Sequence, residues 1–517
     1  MTNRILPLGL LAIGAACHPA VSSRPSPVFT RATLQHSVDS LVADPMFSNS
    51  HLGLLIVEPV SGDTLYSHNA GKLFMPASNM KLLTSSTALV QLGPSYRFTT
   101  SYLSSAPVVE GVLRGDLVIA GRGDPTVSDI MQGGDAMRPL RAAAESLYAR
   151  GIREIAGSIV KGGNAFPDTT IGEWDWTNLE TTSGAAIDEL MFNEGGARVT
   201  VYGGDKPGDT VRVVTGPSRT APRVVPELVT TDPATMPAPA ARPGAPPGAG
   251  GRGGGSRSGM VRGTTDMRGP VPIVRLRGWV APKDSVRATI TIRDPASTYL
   301  QAFAEALSDK GITVRGTIVR TPDASLDGLK PLFTVTSAPL SEVLVRFLKP
   351  SQNQIGEILL RTVGLEKTGV GSADSGRRVV ERQMIAFGAD SNGFAVRDGS
   401  GLSRHDYVTP ETFVKILDAM RKRDDFKIFY DALPIGGVDG TIGSRMRNTP
   451  AQGNVHAKTG TVDRSHSLTG YVTTVDGKLL LFSFQHNNYT TNNPQVERVQ
   501  DWIAAQLAGH PFLTKGR

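Results

Sequence analysis

The stretch Pro76-Ala77-Ser78-Asn79-Met80-Lys81-Leu82-Leu83 decides how this chain is read. A serine and a lysine three residues apart share one face only on a helix. Pro76 suits a helix start, and Met80, Leu82, Leu83, Ala88, Leu89 and Val90 supply an apolar body behind it. No glycine or proline interrupts Ala77 to Leu92. The pattern predicts a buried helix that carries an amine over a hydroxyl at its first turn. A serine hydroxyl is a poor nucleophile until a base removes its proton, and a neutral Lys81 is the candidate base.

Two further stretches follow in order, Ser351-Gln352-Asn353 and Lys458-Thr459-Gly460. Ser-x-x-Lys, Ser-x-Asn and Lys-Thr-Gly together form the three-part signature of penicillin-interacting serine enzymes. Each piece alone is cheap. Ser158-Ile159-Val160-Lys161, Ser67-His68-Asn69 and Lys367-Thr368-Gly369 repeat the same patterns. Context separates the copies. Ser158 to Lys161 lies between Gly157 and Gly162, and Ile159-Val160 reads as a short strand. Lys367-Thr368-Gly369 ends a helical pattern of Ile355, Ile358, Leu359, Thr362 and Val363, with Gly369 as its stop. Lys458-Thr459-Gly460 instead sits on a predicted edge strand, ahead of two more strands at Leu468 to Thr473 and Lys478 to Phe484.

About 270 residues separate Lys81 from Ser351, which leaves room for an inserted domain. With this spacing the chain resembles the D-alanyl-D-alanine carboxypeptidase/endopeptidase family, low-molecular-mass penicillin-binding proteins with a large insertion after the nucleophile helix. Gly121-Arg122-Gly123-Asp124-Pro125-Thr126, Asp398-Gly399-Ser400-Gly401-Leu402-Ser403-Arg404 and Asp439-Gly440-Thr441 are similar to segments of that family. The resemblance runs from about Gly53 to Trp502 and is weakest between Trp174 and Thr289.

The resemblance implies an α/β (α+β) fold. A serine β-lactamase/transpeptidase-like domain, with helices packed on an antiparallel sheet, is expected at 29–96 and 331–517. A β-rich inserted domain or pair of domains is expected at 97–330. Within it, 233–272 is Pro-, Gly- and Arg-rich and is expected to be a disordered loop, because such a composition buries no core. The resemblance also implies the roles. Ser78 is the nucleophile, Lys81 the base, Ser351 a proton relay, and Asn353 the holder of a substrate amide. Lys458 and Thr459 bind a terminal carboxylate, Gly460 keeps the strand clear, and the backbone N–H groups of Ser78 and Thr461 form an oxyanion hole. Burial and the charge of Lys458 are expected to lower the pKa of Lys81.

The expected substrate is a peptidoglycan peptide ending in D-Ala-D-Ala, with β-lactams as covalent inhibitors and no metal or organic cofactor. Two other readings stand beside it. A serine β-lactamase would share the acylation chemistry, but the long insertion and the Asp398–Arg404 segment argue against it. A non-catalytic envelope scaffold would be marked by loss of Ser78, Lys81 or Lys458, and all three are present.

The chain of 517 residues is too long for one ordinary core. A formal charge of +7 invites a nucleic-acid reading, but no such module is recognisable and aromatics make up only 6%. Arg4 precedes an apolar run from Ile5 to Ala16, too short to span a bilayer, which reads as a secretory signal over 1–17. The single cysteine, Cys17, follows Ala15-Ala16 at a position that suits lipid attachment, although Gly14 departs from the usual leucine. A linker over 18–28 then leads into the mature protein, expected in the periplasm or cell envelope. His456 is expected to be a surface histidine, and Asp398 and Ser400 to shape the cleft wall rather than react.

Overall fold

The computed structural model describes residues 30–168, 172–236, 258–268, 272–319 and 325–511. The signal segment 1–17 with Cys17 and the linker 18–28 lie outside the described residues.

The catalytic sheet has five antiparallel strands in the order Asp63–His68, His51–Glu58, Leu479–Asn487, Ser465–Thr473, His456–Val462. The strand bearing Lys458-Thr459-Gly460 is therefore at an edge, as the sequence predicts. Both faces are covered. On one, Leu54, Ile56, Phe482 and Phe484 pack with Val496 and Ile503 of the C-terminal helix Asn493–Gly509. That helix starts with a capping box, Asn492 to the Gln495 backbone and Gln495 back to the Asn492 N–H. On the other face, Leu55, Tyr471 and Leu481 join a core built by Met80–Leu92, Asn353–Thr368 and Pro410–Arg421.

The helix Met80–Leu92 runs through the centre of this domain, and every residue from Met80 to Leu89 is buried. Three of its hydroxyls are bonded to carbonyls. Ser85 and Ser86 donate to the carbonyls of Leu82 and Leu83, and Thr84 Oγ1 donates to the Gly399 carbonyl at 2.7 Å.

The insertion begins and ends at one point. Phe98 N–H donates to Ser337 Oγ and Ser337 N–H donates to the Phe98 carbonyl, both at 2.9 Å. Thr99–Ser104 then pairs antiparallel with Lys330–Thr336 and with Leu117–Gly121. The last inserted strand thus runs to Thr336, past the boundary of 330 expected from composition. The Pro and Ser flanking it look like loop, but its partner strand lies over 200 residues earlier and leaves no local trace. Ile159–Lys161 is a strand of the same sheet, as expected. Two three-stranded sheets, centred on Gly196–Tyr202 and Ile273–Val280, share one core with the helices Arg138–Ala149 and Pro295–Asp309.

The expected disordered loop at 233–272 is corrected in part. Gly259–Asp266 is a strand, antiparallel to Ile273–Val280 along its whole length. Composition averaged over the window hid a strand whose Val261 packs on the insertion core. Residues 237–257 and 269–271 lie outside the described residues.

Candidate active site

Ser78 sits in a single 3-10 turn, Ala77–Asn79, that feeds directly into Met80–Leu92. Ala77 has φ 48°, a left-handed value that a non-glycine residue rarely adopts. The turn is stitched to the sheet from several sides. Ser465 Oγ donates to the Met75 carbonyl and Ser467 Oγ to the Pro76 carbonyl, each at 2.8 Å. Asn79 Nδ2 donates to Thr469 Oγ1 at 2.7 Å. A Cβ at Gly460 would collide with the Pro76 carbonyl oxygen and Ser467 Oγ. Gly460 is thus required for the edge strand to lie against the nucleophile turn, which brings Thr461 beside Ser78.

Lys81 is fully buried, and its Nζ has three partners: Ser78 Oγ at 2.8 Å, Asn353 Oδ1 at 2.7 Å and the Ser400 carbonyl at 2.6 Å. Two of these can only accept. A neutral amine has two N–H bonds, so donating to Asn353 and Ser400 leaves its lone pair facing the Ser78 hydroxyl. Burial lowers the Lys81 pKa to about 7, against the opposing pull of Asp398, Glu357 and Asp406.

Lys458 is also fully buried and donates to Ser351 Oγ at 2.8 Å and to the Thr459 carbonyl at 2.9 Å. Its pKa falls well below the usual lysine value, through burial and then the charge of Lys81. The repulsion between the two buried amines is mutual, so each disfavours the charged form of the other. The carboxylates behind Lys81 give it the stronger claim to a proton. Ser351 is held at φ 64° just before the helix Asn353–Thr368, so its hydroxyl and Asn353 both face the two lysines.

The structure holds these residues in two hydrogen-bonded groups, Ser78, Lys81 and Asn353 in one and Ser351 and Lys458 in the other, with Gly460 on the edge strand that packs against the nucleophile turn. Thr459 follows Lys458 on the edge strand. Its Oγ1 donates to Thr441 Oγ1 at 2.7 Å, and Thr461 Oγ1 lies 3.1 Å from His466 Nδ1. His456 is a correction: it is buried, stacked on Tyr430 with centroids 3.8 Å apart, and its Nδ1 is 3.1 Å from the Tyr430 carbonyl. The neighbouring helix Phe426–Ala432, invisible from the edge strand's sequence, covers it.

Behind Lys81 the turn from Asp398 to Ser403 is organised by one carboxylate. Asp398 Oδ1 accepts from the N–H groups of Ser400 and Gly401, and Oδ2 from that of Ser403. Asp406 is buried against Asp398, which holds its pKa far above the carboxylate range. Glu357, one helical turn after Asn353, accepts from the Gly399 N–H at 3.0 Å, and burial followed by Asp398 raises its pKa to about 7. Sequence reasoning missed Glu357 and its partner Arg361, which lie 3.3 Å apart. The available signal was their four-residue spacing from Asn353 on an otherwise apolar helix face. It also missed Trp174, whose indole N–H donates to Asp398 Oδ2 at 2.7 Å.

The pattern of the D-Ala-D-Ala carboxypeptidase 3 (S13) family matches residues 34–237 and 271–508. A D-alanyl-D-alanine carboxypeptidase of Actinomadura sp. (strain R39) is 31% identical, over 98% of this chain and 89% of its own length. A penicillin-sensitive carboxypeptidase A of Dictyostelium discoideum is 26% identical, over 87% of this chain and 85% of its own. The crystal structure of penicillin binding protein 4 from Haemophilus influenzae superposes with a TM-score of 0.73 at 22% identity. That match covers 90% of this chain and 97% of the other, and it shows a shared fold.

Proposed function

The chain belongs to the D-Ala-D-Ala carboxypeptidase 3 (S13) family and is a serine-type D-alanyl-D-alanine carboxypeptidase, and from that premise we propose how its residues carry the reaction. The observation that carries the reading is the Ser78 to Lys81 contact, with the lysine's other two partners fixed as acceptors. Lys81 takes the Ser78 proton as Oγ attacks the carbonyl of the penultimate D-Ala. The backbone N–H groups of Ser78 and Thr461 hold the oxyanion. The C–N bond breaks, and the departing D-Ala amine receives its proton through Ser351. Water then hydrolyses the acyl-enzyme.

The two buried amines cannot both stay charged. A substrate carboxylate arriving at Lys458 stabilises a cation there. That cation in turn favours the neutral form of Lys81. Substrate binding would thus activate the base.

The test is D-Ala release from a peptide ending in D-Ala-D-Ala. Wild type should release it and Ser78→Ala should not; equal release by both would sink the assignment. Conversion of cross-linked peptidoglycan dimers to monomers would extend the activity to that of an endopeptidase. We also propose export to the cell envelope with a lipid on Cys17, supported by the Arg4 and Ile5–Ala16 pattern. Cys17→Ser should then move the protein from the membrane fraction to the soluble one. An unchanged distribution would remove the anchor from the account.

A further inference from the structure

Two neighbouring parts of the insertion, Asp168 and residues 172–185, are tied to the back of the catalytic site. Asp168 accepts from Arg361 Nε through its carbonyl at 2.9 Å and its Oδ1 at 3.0 Å, and from the Ala373 N–H at 2.8 Å. At the far end, Asn353 Nδ2 donates to the Ser183 carbonyl at 3.0 Å, and Gln354 Nε2 donates to that of Thr182 at 2.9 Å. Between them Trp174 is buried, with its indole N–H on Asp398. Residues 172–185 also stay tied to the rest of the insertion, because Arg293 Nη1 donates to the Leu179 carbonyl and Thr291 Oγ1 to that of Glu180.

We propose that Asp168 and residues 172–185 are a working part of the catalytic site, and that Trp174 is its positioning residue. This rests on the reading of Lys81 as the base. The route is short. Trp174 fixes Asp398; Asp398 gathers the N–H groups of Ser400, Gly401 and Ser403; and the turn so formed presents the Ser400 carbonyl to Lys81 Nζ. The turn has little room to relax, since a Cβ on Gly401 would collide with the Ala77 carbonyl beside Ser78. At the other end Ser183 holds the amide nitrogen of Asn353, which turns Oδ1 toward Lys81. The insertion therefore orients two of the three partners of the base.

Trp174 also acts on charge. Its indole N–H holds the Asp398 carboxylate in place, and Asp398, Glu357 and Asp406 pull the Lys81 pKa upward against burial. Arg361 tempers Glu357, and Lys458 faces the amine from the edge strand. Losing the Trp174 donor frees the Asp398 carboxylate to shift from its place behind Lys81, so the negative field there weakens and Lys81 holds its proton less tightly. The acid limb of acylation should then move to lower pH while the plateau drops.

The experiment measures penicillin acylation rates against pH for wild type, Trp174→Phe and Trp174→Tyr. The exposed neighbour variant Trp176→Phe serves as the control. Rates are normalised to the enzyme that finally becomes acylated, so misfolded protein does not count. Trp174→Phe should lower the plateau about tenfold and shift its limb to lower pH. Trp174→Tyr regains a ring donor and should recover part of both. A limb that stays in place, whether or not the plateau falls, would overturn the proposal. Wild type that neither acylates nor releases D-Ala would fail the underlying reading instead.

Discussion

Ser78-Asn79-Met80-Lys81 and Ser158-Ile159-Val160-Lys161 share one spacing, and both end in a buried lysine, yet the pKa values of the two lysines move in opposite directions. Lys81 lies at a helix start and touches only neutral oxygens, with the carboxylates one residue further back. Lys161 lies on a strand in direct contact with Asp188 at 3.2 Å and Glu189 at 2.8 Å. Burial alone would lower both. At Lys161 the two carboxylates reverse the effect and hold its pKa above the usual value, whereas at Lys81 burial wins. A lysine in a catalytic pattern becomes a base through what it is denied, a touching counter-ion, as much as through what it contacts.

The largest effects should fall on the first copy. Ser78→Ala should abolish both the penicillin adduct and D-Ala release. Lys81→Met should slow acylation by about 10³-fold, in the range for loss of a general base, with folding intact by thermal melt. Comparable slowing by Lys161→Met, in a folded protein, would break the distinction between the two lysines.

Gly460→Ala comes next. It forces the edge strand away from the Pro76 carbonyl and should cost about 10²-fold in acylation. Little change would mean the strand has slack that the packing does not show.

Lys161→Met should instead be a stability variant. It leaves Asp188 and Glu189 buried without their cation, at a cost of about 3 kcal/mol. Glu189 already has its pKa raised to about 7, by burial and then by Asp188, and losing Lys161 raises it further. Such an acid binds more protons folded than unfolded, so it favours folding fully at low pH and loses that contribution as pH rises through the folded value. Urea unfolding should show the deficit of Lys161→Met growing from pH 5 to pH 8. A deficit that shrinks over that range would contradict the assignment. Ser158→Ala, which loses one acceptor for the Thr317 N–H, should cost about 1 kcal/mol or less.

Acylation by wild type should rise through about pH 7 as Lys81 loses its proton, since the amine must be neutral to act. A rate that falls across that range would assign the base elsewhere.

Much of this contrast was legible in the sequence. Helix and strand periodicity separated the two Ser-x-x-Lys copies, and Gly369 marked Lys367-Thr368-Gly369 as a helix end, with φ 77° in the structure. The five residues of the hydrogen-bonded centre followed from the motifs. What stayed hidden depends on contacts between distant segments. Glu357 and Asp406 look like ordinary acids until burial is known. The strand Gly259–Asp266 was masked by its neighbours' composition. Trp174 lies where the family resemblance is weakest, 224 residues from Asp398 in the chain. The carboxylates that oppose burial at Lys81, on Asp398, Glu357 and Asp406, are likewise placed there by no local pattern.

The most direct test of this account is the intact mass of the protein after brief exposure to a penicillin, followed by peptide mapping. The account predicts one adduct, on Ser78, with the Ser158 peptide unmodified. Rapid drug consumption with no adduct would point to a β-lactamase, and an adduct on any other residue, or no reaction at all, would contradict the assignment of Ser78 and Lys81.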